Sequence, residues 1–255
     1  MTRRIPLFPL STVLYPGLIL PLHVFEPRYR GLVQRLVAAP EGSPREFGVV
    51  AIREGREIGA EGLTVLHPIG CAAELREVEP YDDGRYDITT VGTTRFRLIE
   101  VDTSAPLWEA EVEDLDERDG GDEDEMNGLR GSVTRGFARY RAALQGVPDG
   151  GEDQLLETFG GDAGDLDGDG DEEDELVAAA RETVSLSLAD AGVLSYAVAA
   201  AMILEVTDKQ KLLAADDTAT RLREERRLLE RERGLIRAIP SLPAVDLTHL
   251  PVSPN

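Results

Sequence analysis

The period of the apolar residues changes part-way along this chain, and that change limits the fold more than any other feature. From Ile5 to about Glu113, apolar residues come in runs of four to eight, broken repeatedly by proline and glycine. IPLFPL, LILPLHVF, FGVVAI, LTVLHPIGCAAEL, YDITTVGTTRFRLIEV and LWEAEVEDL all read as strands. DITTVG and EAEVEDL alternate apolar with polar residues, as half-buried antiparallel strands do. DDGR, at Asp82 to Arg85, supplies an Asp-Gly hairpin turn between two such runs. One segment departs from this pattern. Glu26 to Ala39 spaces Tyr29, Leu32, Val33 and Leu36 as a helix face, with Pro27 placed to start the helix.

Asp114 to Asn127 forms an acidic, glycine-containing connection, and beyond it the spacing is helical. Leu129 to Leu144 presents Val133, Phe137, Tyr140 and Leu144 on one face. Asp153 to Phe159, Glu173 to Ser185 and Asp190 to Val206 are the next helical segments, with Asp190 an N-cap. Asp208 is read as capping KQKLLAA. A last helix covers about Asp217 to Ala238, with Leu222, Leu229 and Ile236 seven apart. The expected organisation is a β domain over 1–117, an acidic linker over 118–127 and a helical domain over 128–240. An acidic insertion occupies 149–175, and a proline-rich tail occupies 241–255. The fold class expected is α+β, a mainly-β barrel-like domain with one helix followed by a helical bundle.

Composition narrows the function classes. The net charge is −22, and 24 of the 49 carboxylates lie in Glu109–Glu125 and Asp149–Glu175, with Arg118 the single basic residue among them. Such a field repels phosphate backbones and anionic membranes, so nucleic-acid and membrane partners are not expected. With Cys71 the only cysteine, no intrachain disulfide can form, and a cytoplasmic setting fits. Pro6, Pro9, Pro16 and Pro21 interrupt the apolar opening, which therefore reads poorly as a signal peptide. Val193 to Leu204, the longest later apolar run, is too short to span a bilayer.

The opening Ile5 to Leu36 is long and specific enough to carry a resemblance. Pro6 to Leu10, the Pro16-Gly17 turn, Leu20 to Phe25 and Glu26 to Arg30 resemble the Lon protease N-terminal domain, whose pattern is PLFPL, Pro-Gly, then LPLHIFEPRYR. Gly92, Arg95 and Phe96 resemble that family's Gly-x-x-Arg-Phe strand. Leu188 to Asp190 and DKQKLLAADD, at Asp208 to Asp217, resemble its helical half more loosely. The resemblance implies a PUA-like pseudobarrel followed by a helical bundle, in a region that helps Lon proteases select unfolded or tagged proteins. The ATPase and protease parts have no counterpart here: no Gly-Lys pair exists for a phosphate-cradling loop. Lys209 and Lys211, the only lysines, lie in a polar segment ill-suited to a catalytic base. The expectation is a stand-alone, non-enzymatic module with no cofactor and no catalytic residues.

Its partners would be exposed polypeptide segments, or else one specific protein, such as a separate protease, for which it is an adaptor or scaffold. A hydrolase with an unrecognised site is the third reading. Leu10, Tyr15, Leu18 and Tyr29 are the candidate groove residues. Pro9, Pro16, Gly17, His23, Phe25, Glu26, Arg28, Arg30, Gly92, Arg95 and Phe96 read as structural parts of the motif. Glu26, Arg28 and Arg30 are read as an ion-pair cluster at the helix start.

Metal sites find little support. His67 and Cys71 are four apart in a proline-broken strand, and His249 stands alone. Asp165, Asp167 and Asp169 followed by Gly170 imitate a calcium loop. The twelfth position, however, is Leu176 where a bidentate glutamate is required. That stretch is read as a solvated acidic loop. The last helix carries seven arginines and four glutamates between Arg221 and Arg237, and reads as a solvated face held by i, i+4 pairs.

Overall fold

The structure is a computed structural model and describes residues 2–40, 42–54, 65–146 and 190–238. The acidic insertion with Asp165, Asp167 and Asp169, the helical segments expected before Asp190, and the 241–255 tail lie outside the described residues.

Seven strands and five helices make up the described part. They are β1 (Thr2–Leu10), β2 (Ile19–Val24), α1 (Pro27–Val37), β3 (Glu46–Glu54), β4 (Val65–Leu66), β5 (Ile69–Pro80), β6 (Tyr86–Asp102), β7 (Glu109–Asp114), α2 (Glu123–Leu144), α3 (Ala191–Ala201), α4 (Val206–Leu213) and α5 (Thr218–Ala238). The fold is α+β, as the periodicities require. Two compact units are present: Met1–Arg130 with Ala189–Glu225, and Gly131–Leu188 with Arg226–Asn255.

In the first unit the strands run β1-β7-β6-β5-β3, and a parallel β1–β3 pairing, Leu7 opposite Gly48, closes them into a ring. That parallel pairing requires a crossover, which β2 and α1 provide. β2 pairs with the first half of β6, leaving the second half to β7. The apolar code follows from this closure. Phe47 and Val49 of β3, with Cys71, Ala73 and Leu75 of β5, lie beneath Tyr29, Leu32, Val33 and Leu36 of α1. Their neighbours Val50 and Ala72 join Ile5, Leu7, Phe96, Ala110 and Val112 in a second core cluster. Both faces of β3 and β5 are therefore buried, and their sequences read as continuous apolar runs rather than alternations. Phe96 needs the glycines around it: a Cβ at Gly48 or Gly70 would lie 2.8 or 2.5 Å from its ring.

Three boundaries differ from the sequence expectation. α2 starts at Glu123, inside the stretch read as linker, because Asp122 accepts a hydrogen bond from the Glu125 N–H, and Glu123, Asp124 and Glu125 fill the first turn. Carboxylates there meet the positive end of the helix dipole, so acidity marks a helix start as readily as a loop. The helix expected over Asp190 to Val206 ends at Ala201, with Met202 extended. Asp208 is not a cap. α4 begins earlier, at Val206, and Asp208 is buried inside its first turn, paired with the exposed Lys211 at 2.8 Å. Asp190 does cap α3, accepting from the Gly192 N–H at 2.8 Å.

Within the second unit, α2 buries Val133, Phe137 and Tyr140 along one face, and Gly136 lies against Leu229 of α5.

Candidate functional site

The motif residues build one corner of the barrel. Tyr15, Pro16 and Gly17 turn the chain from β1 towards β2. Gly17 takes a positive φ of +79°, and its N–H bonds to the Gly92 carbonyl at 2.8 Å. Gly92 in turn donates to Leu18, and a Cβ there would stand 2.2 Å from the Tyr15 carbonyl oxygen. Only glycine allows the turn to lie this close to β6.

After β2, Glu26 stays extended ahead of Pro27, and its carbonyl accepts from Tyr29 and Arg30 to open α1. The Arg28 guanidinium grips the Glu26 carboxylate at 3.0 Å and lies over the Tyr29 ring. Arg30 packs across the hairpin turn at Gly84.

A pocket of about 210 Å³ opens at this corner. Phe8, Pro9 and Leu10 line it from β1, Leu22, His23 and Val24 from β2, and Phe25, Glu26 and Tyr29 from the start of α1. Tyr29 is 3% exposed and stacks on Phe8 at 3.8 Å between ring centroids, so it is floor rather than rim. Phe25 is 47% exposed, at the mouth. Leu10 lines the same pocket. Leu18 is half-buried against the core beneath α1 and does not line it. Tyr15, expected as a groove residue, is 1% exposed and offers no surface to a ligand. Its hydroxyl bonds to the Lys209 carbonyl at 2.9 Å, and burial pushes its pKa well up.

Beside the mouth, His23 Nδ1 meets Asp87 at 2.6 Å while Arg85 approaches His23 Nε2 at 3.2 Å. Arginine only donates, so Nε2 accepts and Nδ1–H donates to Asp87. Tyr81 gives its hydroxyl proton to the same carboxylate. These two hydrogen bonds, that from Tyr81 being the larger influence, hold the Asp87 carboxyl below the usual carboxylate range.

Arg95 serves a different purpose. It is 2% exposed, pairs with Glu117 at 2.6 Å, and donates to the Leu213 and Ala215 carbonyls at 2.7 and 2.6 Å. Glu117 also accepts from Tyr196 and from Arg221, whose guanidinium lies 3.9 Å from the Tyr196 ring centroid. Arg221 is fully buried, against the expectation that the arginines of this helix are solvated. The reason is position. Thr218, Leu222, Glu225, Leu228 and Leu229 form the buried stripe of α5, and Arg221 falls on it. Nothing in the sequence flagged Glu117, Tyr196 or Arg221. The one local signal was Arg221 on the Leu222 side of the helix.

Among the described residues no three metal-ligating side chains gather. Cys71 is buried, its thiol pushed up to about 12 by desolvation, and burial also lowers the His67 pKa. His249 lies outside the described residues.

Residues 4–231 match the family described as the ATP-dependent protease La (LON) substrate-binding domain. The chain belongs to that family. It is 25% identical over 234 residues to Lon protease 2 of Myxococcus xanthus, covering 91% of this chain and 24% of that protein. Lon protease 2 of Syntrophobacter fumaroxidans is 28% identical over 151 residues, 58% of this chain and 18% of its own. The chain thus spans about a quarter or less of these relatives' length. Two solved structures share the fold: the Lon N-terminal domain protein from Xanthomonas campestris (TM-score 0.54, 23% identity, 89% of this chain and 98% of that one) and the N-terminal domain of Mycobacterium avium complex Lon protease (TM-score 0.56, 17% identity, 91% and 98%). The likeness first carried by Ile5 to Leu36 therefore extends over most of the chain, and its fold class agrees.

Proposed function

We propose that this chain captures exposed, unfolded polypeptide segments in the cytoplasm by seating an apolar side chain in the Leu10–Leu22–Phe25 pocket, without catalysing a reaction. One observation carries this reading: the apolar pocket is built by the very motif on which the Lon likeness rests, with a large ring at its mouth. Membership of a substrate-binding family supports it. Among the described residues β2 pairs only with β6, so its other edge is available for strand addition by an extended client.

The test compares a reduced, carboxymethylated model protein with its native form, using the intact chain. Preferential binding of the unfolded form supports the proposal, and equal or absent binding to both rejects it. Recovery of one protein at fixed stoichiometry from the native host, with no unfolded-protein binding, would favour the adaptor reading instead.

A further inference from the structure

The apolar pocket shares its Leu22–His23 rim with a second cleft of about 310 Å³, bordered by Pro21, Glu77, Glu79 and Asp87. Strand register places these side chains. His23 stands opposite Asp87, and Asp87 opposite Glu79, so the three form one row across β2, β6 and β5. Pro21, Thr89 and Glu77 form the next row. Directly opposed residues project to the same face, and opposed like charges are unfavourable.

Asp87 is compensated by His23 and Tyr81, while Arg85 is drawn to Asp83 at 2.7 Å. Glu77 and Glu79 are exposed and carry no ion pair or hydrogen bond among the described residues. Another opposed pair, Glu100 and Glu111, shows the contrast: there Arg4 completes the row opposite Glu111. In the row by the pocket the nearby Arg85 is engaged with Asp83 and His23, and among the described residues no cation pairs with Glu77 or Glu79.

We propose that the pocket's occupant is a cationic segment, with a large apolar side chain next to a lysine or arginine in sequence. The inference rests on the peptide-capture reading above and adds the charge of the client. Leu22 and His23 are consecutive, so they point to opposite faces of β2. A segment that crosses the shared Leu22–His23 rim reaches both clefts. One side chain enters the apolar pocket, and its neighbour brings a positive charge over Glu77 and Glu79.

Two labelled twelve-residue peptides test this by fluorescence anisotropy, with identical leucines and either lysines or glutamates between them. The lysine peptide is expected to bind the intact chain about tenfold tighter at low salt, the sum of a few exposed charge contacts. The double variant Glu77→Gln/Glu79→Gln should lose about three- to tenfold of that preference. Glu100→Gln/Glu111→Gln, with the same change in net charge, should keep it. Equal binding of both peptides would overturn the inference while leaving peptide capture intact. An equal loss in the two double variants would also overturn it, because net charge would then be the cause. Binding of neither peptide would reject the capture reading itself.

Discussion

Glu225 lies one helical turn beyond Arg221 on α5, fully buried, with neither carboxylate oxygen hydrogen-bonded among the described residues. Desolvation holds its carboxyl protonated well above the usual range, with Arg221 opposing only in part. The sign of the pH dependence follows. Above the ordinary glutamate value the unfolded chain releases this proton while the folded chain keeps it, so stability falls as pH rises, by up to about 1.4 kcal/mol per unit. Below that value the group contributes no pH dependence. Glu225→Gln cannot ionise. Its Tm should match the parent's near pH 4.5 and exceed it as pH rises above that value, as differential scanning calorimetry would record. A variant that loses stability at high pH would mean that ionised Glu225 instead supports Arg221. For Arg221 itself, replacement by Ala leaves the Leu212 carbonyl and the Ser195 hydroxyl without their buried donor, while Glu117 keeps Arg95 and Tyr196, and should cost about 1–3 kcal/mol in urea unfolding. At the pocket mouth the balance is reversed. Phe25→Ala removes a half-exposed ring, so Tm should hardly move while affinity for an unfolded client drops about tenfold.

At the scale of elements, local chemistry predicts a measurable effect where one side chain holds an end. Asp190→Ala removes the acceptor for the Gly192 N–H and should destabilise the first unit by about 1 kcal/mol, read from the urea midpoint at unchanged m-value. Features of this kind were legible in the sequence. The hairpin at Asp82 to Arg85, the proline start of α1 and the strands from β1 to β7 all depend on short-range rules. Less legible was anything set by a distant partner. Asp208 resembles a cap, yet the chain entering α4 turns helical at Val206, and Asp208 falls inside the first turn. In the sequence Tyr15 reads as a groove residue and Phe25 as a structural one, yet Tyr15 is 1% exposed and Phe25 47%. Tyr15 is buried because Lys209 and Tyr196 arrive from far along the chain to cover it, and no spacing near Tyr15 announces them. The arginine network shares that cause. Arg95, Glu117, Tyr196 and Arg221 meet only once the strands and the last helices have come together.

Charge acts at the scale of the whole molecule, and here two consequences of salt have opposite signs. A net charge of −22 makes the compact state repel itself, and the unfolded chain spreads the same charge over a larger volume. Screening therefore favours folding, even though it weakens surface pairs such as Arg4 with Asp102. Those pairs contribute little individually, whereas the excess of carboxylates is shared by the entire chain. Raising sodium chloride from about 10 to 150 mM shortens the Debye length from about 30 to 8 Å, and Tm should rise. Capture of a cationic client should weaken over the same range, because that attraction is itself between exposed charges. Parallel melting and anisotropy titrations on one set of buffers would separate the two. If client affinity rose along with Tm, binding would be governed by apolar burial in the pocket alone, and the acidic row across β2, β6 and β5 would have no part in it.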